Sequence, residues 1–265
     1  MLSYQSLIRE VLENGVESED RTGTGTIRIF GAMFKHNLAT GFPAVTTKKL
    51  AYRAMSGELA CFLKGHTDVR EFRNRGCKIW DANLAKAFGP DETDLGPIYG
   101  AQWRNFNGVD QLYNVLKELR NNPNSRRLMV TAWNPGQLED MCLPPCITQW
   151  QLSVIDDRLN LAYNQRSCDL MLGFPFDVAE HALLAHLICH ETGLKPGTLT
   201  AFLGDCHIYK NHVEAAVETL NRMPHRLPQI IFNTPIGTEV EKFEPQDFEL
   251  INYVSHPAIK LEMSA

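Results

Sequence analysis

Residues 173–193 read GFPFDVAEHALLAHLICHETG, and from 175 to 192 the run predicts one long, mostly apolar helix. A helix without a broad polar face belongs in an interior, so this segment has to be buried. Pro175 suits its first turn. Asp177 is harder to place. A carboxylate near a helix start complements the positive end of the helix dipole. The same acid could instead read a ligand through hydrogen bonds. The longest apolar stretch, ALLAHLIC, is broken by His186, and no run reaches the length of a membrane span.

Around that helix the pattern mixes both element types. Residues 4–14 predict an amphipathic helix ending at Gly15, which does not read as a signal peptide. Residues 26–38 have strand composition, and 51–65 read as a helix stopped by Gly65. Residues 109–122 form an amphipathic helix stopped by Pro123, and RRLMVTAW (126–133) reads as a strand. CITQWQLSVID and RLNLAYNQR alternate about Asp156-Asp157, the pattern of a hairpin. TLTAFLGDCHIY is a further strand and NHVEAAVETLNRM a further helix, with strand-like PQIIFN and DFELINYV in the tail. Strands and helices do not alternate strictly, which favours α+β over a doubly wound fold. No repeat or linker divides the 265 residues, so 1–265 is expected to be a single domain.

The net charge of −5 argues against a general electrostatic grip on nucleic acid, while leaving room for a local arginine cluster. Seven cysteines without a Cys-x-x-Cys, in a chain with no secretory segment, read as reduced thiols of a cytoplasmic protein. His186 and His190 stand four apart with Cys189 between them, but the Glu of a His-Glu-x-x-His zinc helix is absent. A packed or solvated helix face, with no metal, is expected there.

The candidate chemistry is scattered along the chain. Cys146 follows two prolines at a strand start, as a small core hydrophobe or as a thiol awaiting a positive neighbour. NQRSCD (164–169) supplies that neighbour. If the hairpin pairs about Asp156-Asp157, Arg166 returns beside Cys146, where a guanidinium would lower the thiol pKa or grip phosphate with two parallel bonds. A structural ion pair is the other reading of Arg166. Arg21, in a loop with Gly23 and Gly25, and Arg126-Arg127 are further basic groups.

In order, DRTGTGT, FPAVTTKK, GELACFLKG, KIWD, DLGPIYGAQWR, NPNSRR, LPPC, QRSCD, GFPFD and GDCHIYKNH give a specific pattern. Across nearly all of the chain it resembles the thymidylate synthase family. The resemblance implies a homodimer of α+β subunits, with a mixed sheet packed by helices and a sheet face at the dimer interface. It implies one-carbon transfer from 5,10-methylenetetrahydrofolate to C5 of a pyrimidine nucleotide, with no metal. By the resemblance Cys146 adds to C6 of the ring, Glu58 organises proton transfers at ring position 4, and Tyr99 helps remove the C5 proton. Arg21, Arg166 and Ser167 hold the 5′-phosphate, with Arg126 and Arg127 reaching it from the other subunit. Asp205, His207 and Tyr209 contact the sugar. Trp80, Leu143, Asp169, Gly173 and Phe176 line the folate side.

The chain also departs from that family. Thymidylate synthases carry Asn where Asp177 stands, and that amide reads the N3–H and O4 of uracil. Cytosine reverses both demands, and an ionised carboxylate cannot donate to O4. A protonated Asp paired with N3, or an ionised Asp with an N3-protonated ring, suits cytosine. Phage deoxycytidylate hydroxymethylases of the family carry Asp here too. Ile147 replaces a His of the same O4 network. Asn83, Ala51 and the polar tail KLEMSA stand where the family more often has Trp, His and an apolar lid. A wetter pocket favours water over hydride as the final reactant. The expectation is 5-hydroxymethylation of dCMP or CMP. The alternatives are a thymidylate synthase methylating dUMP, a dCMP C5-methylase and, more distantly, a non-catalytic nucleotide- or RNA-binding relative.

Overall fold

The long apolar helix, α7 (Gly173–Thr192), is buried along most of its length, as its composition demands. The computed structural model describes residues 4–20 and 22–263. Before α7 come α1 (Tyr4–Asn14), α2 (Tyr52–Lys64), α3 (Val69–Asn74), α4 (Asp81–Phe88), α5 (Tyr99–Arg104) and α6 (Gln111–Asn121); α8 (Val213–Asn221) follows it. The strands are β1 (Val16–Ser18), β2 (Thr26–Asn37), β3 (Met129–Thr131), β4 (Ile147–Ile155), β5 (Arg158–Asp169), β6 (Lys195–Tyr209), β7 (Gln229–Phe232) and β8 (Phe248–Ile251). This is the expected α+β class.

Six strands form a mixed sheet in the order β1-β2-β6-β5-β4-β3, and β7 pairs with β8 in a separate ribbon. Only β5 and β6 run parallel, and α7 is their crossover. It starts four residues after β5 ends and returns the chain across the sheet to β6. It packs on β5 and β6 on one side and on α2 on the other, which is why it needs no polar face. Its first residues therefore lie beside the C-terminal end of β5, where the site is built.

The β4–β5 hairpin turns on Asp156 and Asp157, whose φ angles of 49° and 60° are the left-handed pair of a two-residue turn. Gly65 closes α2 at φ 73°, a conformation that glycine adopts without strain. Three expectations need correction. The strand at 126–133 shrinks to Met129–Thr131, because the Met129 amide turns back onto Arg127 O at 2.9 Å and leaves both arginines outside the ladder. The helix at 109–122 begins at Gln111, where Asp110 accepts from the Tyr113 amide as N-cap. The apolar helix begins at Gly173, so Asp177 stands in its second turn and no acid lies in the first.

Candidate active site

Cys146 sits at the entry to β4 and is the one cysteine of the seven that is not fully buried. The hairpin brings Arg166 to it as the strand pattern predicts: the Arg166 amide donates to Cys146 O at 2.8 Å. The guanidinium donates to Pro145 O and Pro144 O at 2.8 and 3.0 Å and lies 5.2 Å from the Trp133 ring centre. Arg166 thus braces the Pro-Pro loop that carries Cys146, and among the described residues it is held in no ion pair. The expected lowering of the thiol pKa is outweighed. Arg166 does pull it down, but burial and then the nearby Asp177 push it up to about 11.

Tyr99 opens α5 with its ring 5.1 Å from that of Phe62 on α2. Its hydroxyl accepts from the Cys146 amide at 2.7 Å and from the Ile147 amide at 3.4 Å. Burial, then the Cys146 and Asp177 charges, hold that hydroxyl protonated well beyond the usual phenol range.

On the other side of the thiol lies a group of acids. Asp177 Oδ2 accepts from Gln165 Nε2 at 2.7 Å, and Gln165 also donates to Ser167 O, so the amide is clamped between two acceptors. Asp177 Oδ1 makes no hydrogen bond among the described residues. Burial raises the Asp177 carboxyl to about 7, with Asp169 adding to the rise and Gln165 opposing it. Glu58, buried in α2, accepts from Trp80 Nε1 at 2.7 Å. Burial, countered by Trp80 and reinforced by Asp177, lifts it to about 8. Glu180, three residues after Asp177, joins them and bonds to Glu58.

Asp169 ends β5 and caps the turn into α7, its Oδ1 accepting from the Met171 and Leu172 amides at 2.8 and 3.1 Å. A Cβ on Gly173 would come within 3.4 Å of Asp177 Oδ2, so the bare glycine leaves backbone open beside that carboxyl. Leu143 and Phe176 are half-buried against the core, and Trp80 packs against Tyr99. A flat heterocycle fits this set: apolar surface, an aromatic ring, and an Asp169 oxygen, Oδ2, without a hydrogen bond among the described residues. On β6, Asp205 and His207 lie opposite Ser167 and Asp169. Asp205 bonds Arg28 at 2.6 Å and His207 Nδ1 at 2.9 Å, and His207 meets Tyr209 edge-on.

Arg126 and Arg127 are exposed, with Arg127 on a groove shared with Asn114 and Lys117 of α6. Arg21 lies outside the described residues. Gln165, Glu180, Trp133 and Arg28 escaped sequence reading. For Glu180 a signal existed, an acid i+3 from Asp177 on an otherwise apolar helix. For Gln165 none did. His186 packs near Phe42 and His190 meets Thr234 Oγ1. Among the described residues no three His, Cys, Asp or Glu side chains gather around a metal position, and no helix is long and apolar enough to cross a membrane.

A partly accessible thiol with buried acids of near-neutral pKa on a six-stranded mixed sheet is the equipment of a group-transfer enzyme. The chain belongs to the thymidylate synthase family, whose description, "Thymidylate synthase", matches residues 2–265. It is 44% identical over 284 aligned positions to Thymidylate synthase 1/2 of Encephalitozoon cuniculi, covering 99% of this chain and 96% of that protein. It is also 44% identical over 285 positions to the thymidylate synthase of Enterobacteria phage T4, covering all of both. It is accordingly a folate-dependent one-carbon transferase with 5,10-methylenetetrahydrofolate as co-substrate, which removes the non-catalytic reading.

Proposed function

We propose that the enzyme acts on C5 of a cytosine nucleoside 5′-monophosphate, dCMP or CMP, and releases a 5-hydroxymethyl product. The observation that carries this is Asp177. One of its oxygens is held by Gln165, the other makes no bond among the described residues, and its pKa of about 7 lets it carry or release a proton near neutrality. Cytosine N3 needs one proton between itself and its partner, and the 4-amino group needs an acceptor. Asp177 keeps an acceptor oxygen beside that proton whichever form it takes, and the Ile147 side chain offers no donor there. Uracil O4 would meet an acceptor where it needs a donor whenever Asp177 is ionised, at about 1–3 kcal/mol for each mismatched buried group.

In this reading the Cys146 thiolate adds to C6, and the C5–C6 electron pair moves into the ring toward N3, where a proton from Asp177 receives it. C5 becomes enamine-like and would bond to the one-carbon unit that the folate supplies; with the C5 proton lost, tetrahydrofolate would leave, water would add its oxygen to the exocyclic carbon, and expulsion of the Cys146 thiolate would restore the C5–C6 double bond. Tyr99, beside the Cys146 amide, assists loss of the C5 proton, and Glu58 manages protons at ring position 4. Arg21, Arg166 and Ser167 hold the phosphate, with Arg126 and Arg127 contributed by a partner subunit. Asp205, His207 and Tyr209 hold the sugar. Trp80, Leu143, Asp169, Gly173 and Phe176 hold the folate. The single catalytic domain of 1–265 acts as a homodimer.

A second reading is methylation of dUMP, with a hydride completing the methyl group. Both relatives named above are thymidylate synthases aligned over almost their whole length, and this supports the second reading more than the first. Methylation of dCMP would keep the role of Asp177 and change only the last step.

Incubation of a mixed pool of dCMP, CMP and dUMP with methylenetetrahydrofolate, followed by mass spectrometry, decides base, sugar and added group together. The expected product is a 5-hydroxymethylcytosine nucleotide without dihydrofolate, and Asp177→Asn is expected to move turnover toward dUMP. Thymidylate and dihydrofolate in equal amounts, with no cytosine product, would establish the second reading.

A further inference from the structure

Glu180 has no assigned step in the chemistry above, yet it sits inside the site. It follows Asp177 by three residues, so both side chains leave the same face of α7. It is 5% exposed, and its Oε1 makes no hydrogen bond among the described residues. Its carboxyl meets that of Glu58 across the α2–α7 contact. Two carboxyl groups hydrogen-bond only if one of them carries a proton.

The partners decide which one does. Glu58 accepts from Trp80 Nε1, a donor that supports a negative charge on it independently of Glu180. Among the described residues Glu180 has no partner but Glu58. Among the described residues the groups facing the pair bring no positive charge. They are Cys61 on α2, Cys77 before α4, Tyr163 on β5, and Asp177 and His181 on α7. His181 is held neutral by burial, at about 4, with Nδ1 turned to Asp177 O. Arg75, which acts on Cys61 beside the pair, is engaged by Glu71 and Glu244.

We propose that Glu180 is the positioning residue of Glu58: protonated at neutral pH, it donates to Glu58 and keeps that carboxyl able to ionise in surroundings that oppose charge. The inference rests on the reading in which Glu58 manages protons at the nucleotide. Burial and the neighbouring acids hold Glu180 far above the carboxylate range, while its donated bond pulls Glu58 down toward about 8. Removing the donor releases that pull. A glutamine retains a donor at the same place and an apolar residue does not.

The test compares Glu180→Gln with Glu180→Leu, and with Glu180→Met should the leucine variant not fold. Infrared difference titration of the free protein follows the Glu58 carboxyl band, identified by its loss in Glu58→Gln. The pH profile of kcat follows the same group during turnover. In Glu180→Gln the Glu58 titration is expected within about half a pH unit of wild type. In Glu180→Leu it is expected about one unit or more higher, with kcat at neutral pH reduced about tenfold and nucleotide KM changed far less. Equal displacement in both variants, no displacement in either, or a lowered Glu58 titration in Glu180→Gln overturns the proposal. The infrared arm needs no nucleotide, so it stands whichever base the enzyme proves to use.

Discussion

Asp177 shows how burial turns an ordinary side chain into a proton-sharing one. Unfolded, its carboxyl titrates at 3.8; folded, at about 7. Between those values the native state holds a proton that the unfolded state has lost. Stability from this group is therefore intact below the unfolded value, declines as pH rises through the interval, and is fully lost above about 7. Asp177→Asn removes the buried charge while its amide oxygen still accepts from Gln165. Denaturant unfolding is expected to show the variant about 2–4 kcal/mol more stable than wild type at pH 8 and nearly equal at pH 4. A gain of the same size at both pH values would mean that charge burial is not its source. The acid was visible in the sequence because it interrupts an apolar run. Its partner Gln165 was not: a glutamine on an alternating strand looks the same whether it faces solvent or clamps a carboxylate. The thiol environment was half legible, since pairing in the hairpin predicts that Arg166 returns to Cys146 but not how far burial outweighs the guanidinium.

At the scale of elements, long periodic segments were readable and short ones were not. α7, α2, α6 and the β4–β5 hairpin carry strong patterns with Gly, Asp or Pro at their ends. α3, α4 and α5 have six to eight residues each and owe their shape to packing, so composition gave no sign of them. One of these, α5, carries Tyr99. Its seating on α2 depends on Gly100, where a Cβ would lie 2.6 Å from Phe62 Cα and 2.8 Å from Phe62 O. Gly100→Ala must therefore drive apart the helices that carry Tyr99 and Glu58. It is expected to cost about 1–3 kcal/mol by denaturant unfolding, and to lower kcat on the order of 10–100-fold as Tyr99 leaves the Cys146 amide. Gly136→Ala is the control. Its Cβ would meet nothing nearer than Asn134 Oδ1 at 3.7 Å, so its stability should stay within about 0.5 kcal/mol of wild type. Matching losses in the two variants would remove the close helix crossing as the cause.

For the whole molecule, the sheet face turned away from α7 is the open question of assembly. Met33 and Phe202 stand opposite each other in the β2–β6 ladder and are 43% and 46% exposed, and Phe30 nearby on β2 is 87% exposed. A sheet face with apolar side chains uncovered in one subunit fits a second copy laid against it. In the proposed homodimer, Arg126 and Arg127, exposed and outside the ladder, serve the other subunit. This arrangement makes a quantitative demand. On the proposed roles, Cys146→Ser removes the nucleophile and the Arg126→Ala/Arg127→Ala double variant removes the arginines offered to the partner, so each alone should be nearly inactive. If the dimers exchange subunits at equal concentration, half become mixed. Each mixed dimer pairs one faulty site, lacking both the thiol and its partner's arginines, with one complete site. Activity should then recover to about one quarter of wild type per site. The rise should follow the rate of subunit exchange, and it should vanish when Phe202→Asp is added to both variants to hold them apart. Analytical ultracentrifugation of the Phe202→Asp protein supplies the companion measurement, a monomer at concentrations where wild type is a dimer. No recovery from mixtures shown by native mass spectrometry to contain mixed dimers would place the two arginines in the service of their own subunit.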